Sequence, residues 1–354
     1  MSPNREKELQ EQVIVAAADG SSLNITGGNS KAFLGRSPQG APLEVSGHSG
    51  ILSYEPKELV ITARCGTLLT EMEATLAEHG QMLAFEPPRF GKNATLGGTI
   101  AAGLSGPRRP YAGSARDFVL GTRILNGRGE ILRFGGEVMK NVAGYDISRL
   151  MTGAMGTLGV ILDVSLKVLP LPADEITLVQ NRNLGDSLQA INGWSQRPIP
   201  LSAACCDGER LYVRLSGAAT AVASARDIIG GEAMEDGHAF WDDRIREQGH
   251  AFFQGSAPLW RLSVPPTTPI DKLPGKYLID WGGALRWLKV ESDHQEVQEI
   301  AAAAGGHATL FRGGDRQGSV YQPLPKPIMT LHHNLKRAFD PQGLFNPGRM
   351  YAKL

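Results

Sequence analysis

LGGTIAAGLSGPRRPYAGSARDFVL, residues 96–120, sets glycines at 97, 98, 103, 106 and 113 around three arginines and a short apolar segment. Glycine has no Cβ, so its backbone can come within hydrogen-bonding distance of a ligand, and it adopts positive φ cheaply. A large flat ligand carrying phosphates needs both properties. Turn punctuation is the plainer reading for any single glycine. The run continues, however, through Gly121, Gly127, Gly129, Gly135, Gly136, Gly144, Gly153, Gly156 and Gly159, more than turns alone require.

Upstream, a strand expected at 22–25 runs into TGGNSKAFLGR, residues 26–36. Successive backbone N–H groups in such a loop cradle an anion. Gly27, Gly28 and Lys31 are too tightly spaced for G-x-x-x-x-G-K-[ST], which disfavours ATP hydrolysis. No G-x-G-x-x-G opens a helix, and GAMGTLG at 153–159 has the wrong spacing, which disfavours a nicotinamide dinucleotide. Two loops far apart in sequence, together with GYDISRLMTGAMGTLGVI at 144–161, suit one long ligand gripped at several points. FAD has that shape.

Around these loops the apolar spacing predicts a helix at 6–18, strands at 43–45, 50–54 and 59–63, and a helix capped by Thr67. Strands at 121–125 and 131–134 read as a hairpin across NGRG, followed by a strand at 159–169. Pro170 and Pro172 mark a boundary, because proline cannot continue a ladder. Beyond it the pattern predicts strands at 175–179, 201–206, 210–215, 259–264, 277–290 and 308–312. Helices are expected at 184–194, 218–229, 240–250 and 295–304, together suggesting an antiparallel sheet with helices on one face. The fold class is α+β, with domains at 1–172 and 173–322 and a terminal segment, 323–354, ending in FDPQGLFNPGRMY.

Composition narrows the function. Lys plus Arg equals Asp plus Glu at 36 each, so the charge balance gives no support for a nucleic-acid partner. Cys65, Cys205 and Cys206 have no C-x-x-C spacing, so neither an iron-sulfur cluster nor a structural zinc is expected on this chain. The opening MSPNREKELQEQ is charged, and the apolar run at 13–18 is too short for a signal sequence or a transmembrane segment. A cytoplasmic location is expected, with attachment to the inner membrane through a partner left open.

TGGNSKAFLG, ELVITARCGTLLTEMEATLAEHGQML, TLGGTIAAGLSGPRRPYAGSARDFVLG, KNVAGYDISRLMTGAMGTLGVI and LKRAFDPQGLFNPGRMY, in this order, resemble the vanillyl-alcohol-oxidase-type flavoproteins with a PCMH-type FAD-binding domain. AFLGR, GPRRPYAGS, FGGEVMKNVAGYD, IDWGGALRWLK and FNPGRMYA narrow the resemblance to the FAD-binding subunits of bacterial glycolate oxidases. The resemblance implies a two-subdomain FAD domain, a cap with an antiparallel sheet, and a terminal segment returning to the FAD domain. It places Gly27, Gly28, Asn29, Ser30 and Lys31 in a pyrophosphate loop, and Gly97, Gly98 and Thr99 at the diphosphate or ribityl region. Gly113, Ser114 and Asp117 would lie close by, with Gly153, Thr157, Gly159 and Val160 near the flavin or adenine ends. Some relatives attach FAD through a histidine in the first loop. Residues 26–36 contain neither His nor Cys, so noncovalent FAD is expected.

The resemblance further implies oxidation of a small 2-hydroxy acid, glycolate or D-lactate, by a complex that includes a second flavoprotein subunit and an iron-sulfur subunit. Such chemistry needs a cation for the carboxylate and a base for the hydroxyl proton. Arg286 is the leading carboxylate ligand, with Arg109 and Arg312 behind it, and His307 the leading base. The alternatives are that Arg286 stacks on Trp281 or Trp287 and that His307 is a packed core residue. Related D-2-hydroxy-acid dehydrogenases bind a divalent metal through two nearby cap histidines and a glutamate. That arrangement is not evident here, so no metal is expected and two readings stay open: a redox-active FAD subunit, or a flavin-bearing relay and assembly subunit.

Overall fold

The computed structural model describes residues 4–136, 146–270 and 275–354, so most of FGGEVMKNVAGYD lies outside the described residues. The chain forms two compact units. One comprises Met1–Leu104, Ser114–Pro170 and Pro323–Leu354; the other comprises Ser105–Gly113 and Leu171–Gln322. The architecture is α+β, as the pattern implied.

In the first unit, five strands pair antiparallel in the order Ile51–Glu55, Val60–Arg64, Val160–Lys167, Val119–Leu125, Ile131–Gly135. Val160–Lys167 is buried at every position but the last, because it is the central strand and is covered on both faces. The NGRG turn closes as read: Asn126 Oδ1 accepts from Arg128 N and Glu130 N, both at 2.9 Å. Helix Glu6–Asp19 buries Leu9, Val13 and Ala16, spaced to lie on one helical face. Thr67 does not cap the next helix. Leu68 takes that position, and Thr67 Oγ1 accepts from Gly50 N at 2.8 Å, a buried backbone donor that would otherwise lack a partner.

The terminal helix Lys326–Phe339 is locked by a buried ion pair. Lys336 Nζ donates to Asp340 Oδ2 at 2.9 Å, Thr157 O at 2.7 Å and Phe345 O at 2.6 Å, so all three ammonium protons have acceptors. Asp340 in turn accepts from Leu344 N and Phe345 N, which folds FDPQGLFNPGR back onto the unit.

The second unit is built on an eight-stranded sheet. Its order is Glu232–Ala233, Asp174–Asn181, Arg210–Gly217, Leu201–Cys206, Lys276–Asp280, Leu285–Lys289, Leu259–Ser263, His307–Arg312, and every pair is antiparallel. The single strand expected at 277–290 is a tight strand pair. Trp281, Gly282 and Gly283, at φ 53°, 64° and 101°, reverse the chain between its halves. The helix expected at 240–250 is a π-helix, Phe240–Arg246, whose wider turn buries Phe240, Trp241 and Ile245.

Candidate functional site

Strand Leu23–Thr26 pairs parallel with Ala41–Glu44, and the connection between them leaves the strand end at Gly27. A cavity of about 110 Å³ opens here, lined by Gly27, Gly28, Asn29, Ser30, Lys31 and Gly98. The structure therefore gathers the first loop and part of the second around one space. Lining residues that the site prediction lacked include Thr95, Met155, Asn346 and Arg349. Asn346 Oδ1 accepts from Ile25 N and its Nδ2 donates to Met155 O, both at 2.7 Å. Arg349 donates to Arg36 O at 2.6 Å and Ala32 O at 2.9 Å. The terminal FNPGRM thus clasps the first loop at both ends; its asparagine and arginine were the available signal.

Two glycines of the cavity do different jobs. A Cβ on Gly28 would sit 1.4 Å from Asn93 O, so the backbones themselves forbid a side chain. A Cβ on Gly98 would meet only Thr95 Oγ1, at 3.2 Å, and a longer side chain there would enter the space a ligand would fill. Asn29, Met155 and Asn346 adopt left-handed φ of 58°, 53° and 44°. Asparagine tolerates this conformation, whereas Met155 is strained, and such strain gathers at functional sites.

The remaining expected cofactor residues stand outside this lining. Gly97 packs on Cys65, whose Cβ lies 2.6 Å from where a Cβ would be. Thr99 is fully buried with its hydroxyl unpartnered. Ser114 N and Oγ donate to Asp117 Oδ2 at 2.8 and 2.7 Å, a reciprocal cap on helix Ala115–Phe118, while Gly113 belongs to the second unit. Gly153 N donates to Ile100 O, and Thr157 Oγ1 to Ala154 O, building the turn that carries Met155. Gly159 lies against Leu125 O, and Val160 opens the buried central strand.

In the second unit Arg286 and His307 are not brought together. Arg286 stands opposite Leu262 and Ile279, on the sheet face that packs against helices. It is 1% exposed, and its guanidinium donates to the carbonyls of Thr268, Pro269 and Gly283. His307 stands opposite Ser263 on the other face and is exposed. Desolvation, aided by the charge of Arg261, holds its pKa below the usual histidine range, favouring the neutral, proton-accepting form. Among the described residues, no three His, Cys, Asp or Glu side chains converge as metal donors.

The first-unit cavity suits an anionic fragment of a larger cofactor. Lys31 lines it, its Nζ donating to Ser30 Oγ and Arg89 O at 3.3 Å, the Gly98 wall leaves room for a ligand, and Thr26 Oγ1 is buried without a partner. The sequence profile of the FAD binding domain family matches residues 1–135. The chain is 51% identical over 346 residues to glycolate oxidase subunit GlcE of Escherichia coli K12, covering 98% of this chain and 97% of that protein. It is 27% identical over 365 residues to glycolate oxidase subunit GlcD of Bacillus subtilis, covering 86% and 77%. Among solved structures, 4-ethylphenol oxidase from Gulosibacter chungangensis matches with a TM-score of 0.71 at 14% identity, over 100% of this chain and 89% of that one. Alkyldihydroxyacetonephosphate synthase matches with a TM-score of 0.70 at 15% identity, over 98% and 75%. These last two likenesses concern the fold.

Proposed function

Because this chain belongs to the glycolate oxidase subunit GlcE family and carries its FAD-binding domain, we propose that it oxidises glycolate to glyoxylate as the FAD-bearing subunit of a complex. The observation that carries the cofactor assignment is the Gly98 cavity, whose glycine wall leaves open the space a side chain would fill. Lys31 and the amides of residues 27–30 hold the diphosphate, Thr26 offers its unpartnered hydroxyl, and Asn346 and Arg349 keep the loop in place. Gly97, Thr99, Ser114, Asp117, Gly153, Thr157, Gly159 and Val160 shape the surrounding backbone, and Gly113 lies in the segment that joins the second unit. Binding is noncovalent, since neither the first loop nor the cavity lining offers His or Cys. FAD, when bound, supplies the acceptor for the hydride that leaves the hydroxyl-bearing carbon.

His307, exposed and held neutral, takes the hydroxyl proton. Arg286 is a positioning residue: its bond to Gly283 O steadies the turn that presents Trp281. A second flavoprotein subunit and an iron-sulfur subunit receive the electrons.

Gly98→Leu tests the cofactor assignment. The variant should fold but purify with less than about a tenth of the wild-type flavin, and full yellow colour would overturn the assignment. Acid precipitation should release the wild-type flavin into the supernatant. Anaerobic glycolate should bleach the flavin of the isolated chain; bleaching only after partner subunits are added would give the relay reading instead.

A further inference from the structure

The cap sheet carries a second feature that the cofactor loops do not explain. Arg261, in strand Leu259–Ser263, stands opposite Thr309 on one side and Trp287 on the other, and Ser263, next along the same face, stands opposite His307. Side chains alternate faces along a strand, so Arg261, Ser263, Trp287, His307 and Thr309 share one face. Arg286 is on the other. The Arg261 guanidinium lies 4.9 Å from the centroid of the Trp281 ring, and Arg109 approaches the same ring at 4.3 Å.

Two guanidinium groups share one indole as their neighbour. Trp281 is 4% exposed, strained at φ 53°, and tied by Nε1 to Gly106 O at 2.9 Å, so the platform is fixed. Trp287 is braced by Phe253 and Phe311, at centroid distances of 5.6 and 4.8 Å. Among the described residues, no group accepts a hydrogen bond from Arg261 and no carboxylate forms an ion pair with it. Asp280 contributes a favourable field but no bond to it, its Oδ1 being taken by Trp281 N at 2.7 Å. Burial and the neighbouring Arg109 push the Arg261 pKa down to about 10, the sign of a cation held without sufficient counter-charge. A bound anion would supply it.

We propose that Arg261, with Arg109 beside it, anchors the carboxylate of the 2-hydroxy acid, leaving the substrate hydroxyl toward His307 on the same sheet face. The assignment rests on the proposed function for its substrate class. Guanidinium matches a carboxylate with two parallel N–H···O bonds, which fixes orientation as well as charge.

The test is glycolate binding to the flavin-loaded chain, read by calorimetry, with non-reacting oxalate as a second probe and ethylene glycol as the same carbon skeleton without a carboxylate. Arg261→Leu should weaken glycolate and oxalate about tenfold to a hundredfold, the range expected for a charge-assisted hydrogen bond. It should leave the melting temperature and flavin content unchanged. Arg261→Lys should recover part of the affinity, and ethylene glycol should show no Arg261-dependent binding. Unchanged affinity in Arg261→Leu, or no binding of either acid to the wild type, overturns the proposal. If binding depends on Arg261 but glycolate bleaches no flavin even with partner subunits, the anion site stands and glycolate oxidation by this chain falls. Bleaching with Arg261-independent binding gives the reverse.

Discussion

The proposed cofactor loop of the first unit and the proposed anion-binding face of the second are built by opposite means. Around residues 26–31 the geometry is made by backbone, and the side chains present largely hold it: Asn346 bridges Ile25 and Met155, and Arg349 reaches the carbonyls of Ala32 and Arg36. On the sheet of the second unit the backbone is ordinary antiparallel ladder, and the proposed chemistry sits in single side chains such as Arg261. The first region should therefore fail through unfolding and loss of cofactor, the second through weaker binding in an intact fold.

The sharpest way to break that contrast is to cut the clasp. Asp340→Ala strands the Lys336 ammonium, 7% exposed, among carbonyls, and removing one partner of a buried pair costs about 3–5 kcal/mol. Urea unfolding should show a loss of that size. A loss below about 1 kcal/mol would mean that the carbonyls of Thr157 and Phe345 suffice for the lysine. Asn346→Ala is smaller: it leaves Ile25 N and Met155 O without their partners, at roughly 2 kcal/mol, and should also lower flavin content. Arg261→Leu is expected to cost almost nothing on the same curve; a cost matching Asn346→Ala would erase the distinction between the regions.

This division explains what the sequence disclosed. Gly28 was legible as a glycine-only position because a backbone constraint demands one residue type there, a Cβ falling 1.4 Å from Asn93 O, whereas Gly27 and Gly98 face only the side chain of Thr95. The terminal FNPGRM was visible as a motif, but its site role was not. Asn346 meets Ile25 across almost the whole chain, and nothing local announces that pairing. The Trp281 turn was hidden inside an apparently continuous strand, since one residue at positive φ, with two glycines after it, was enough to reverse the chain. Arg286 was read as a carboxylate ligand and His307 as a base, and the pairing register puts them on opposite faces of the sheet. A shift of one position sends a side chain to the opposite face, so the choice among arginines could not be made before register was known.

Histidine titration offers the finest comparison, because each unit holds an imidazole depressed by desolvation first and a neighbouring arginine second. His48 is 1% exposed, accepts from Arg5 N at 3.2 Å and buries Nε2 without a partner. Burial first, then the charge of Arg64, lowers its pKa from 6.5 to about 4. The folded state thus holds His48 neutral, and the stability linked to it is complete above pH 6.5, declining as pH falls toward 4. His48→Gln should flatten that decline. His307 is depressed by desolvation and then by Arg261, so Arg261→Leu should raise its pKa while leaving His48 in place. Proton NMR of the ring resonances resolves both in one titration. A His307 curve indifferent to Arg261 would separate cation from base and break the cap face into unrelated residues. Movement of His307 alone would tie them into one electrostatic unit, as a site that binds a carboxylate while accepting a hydroxyl proton requires.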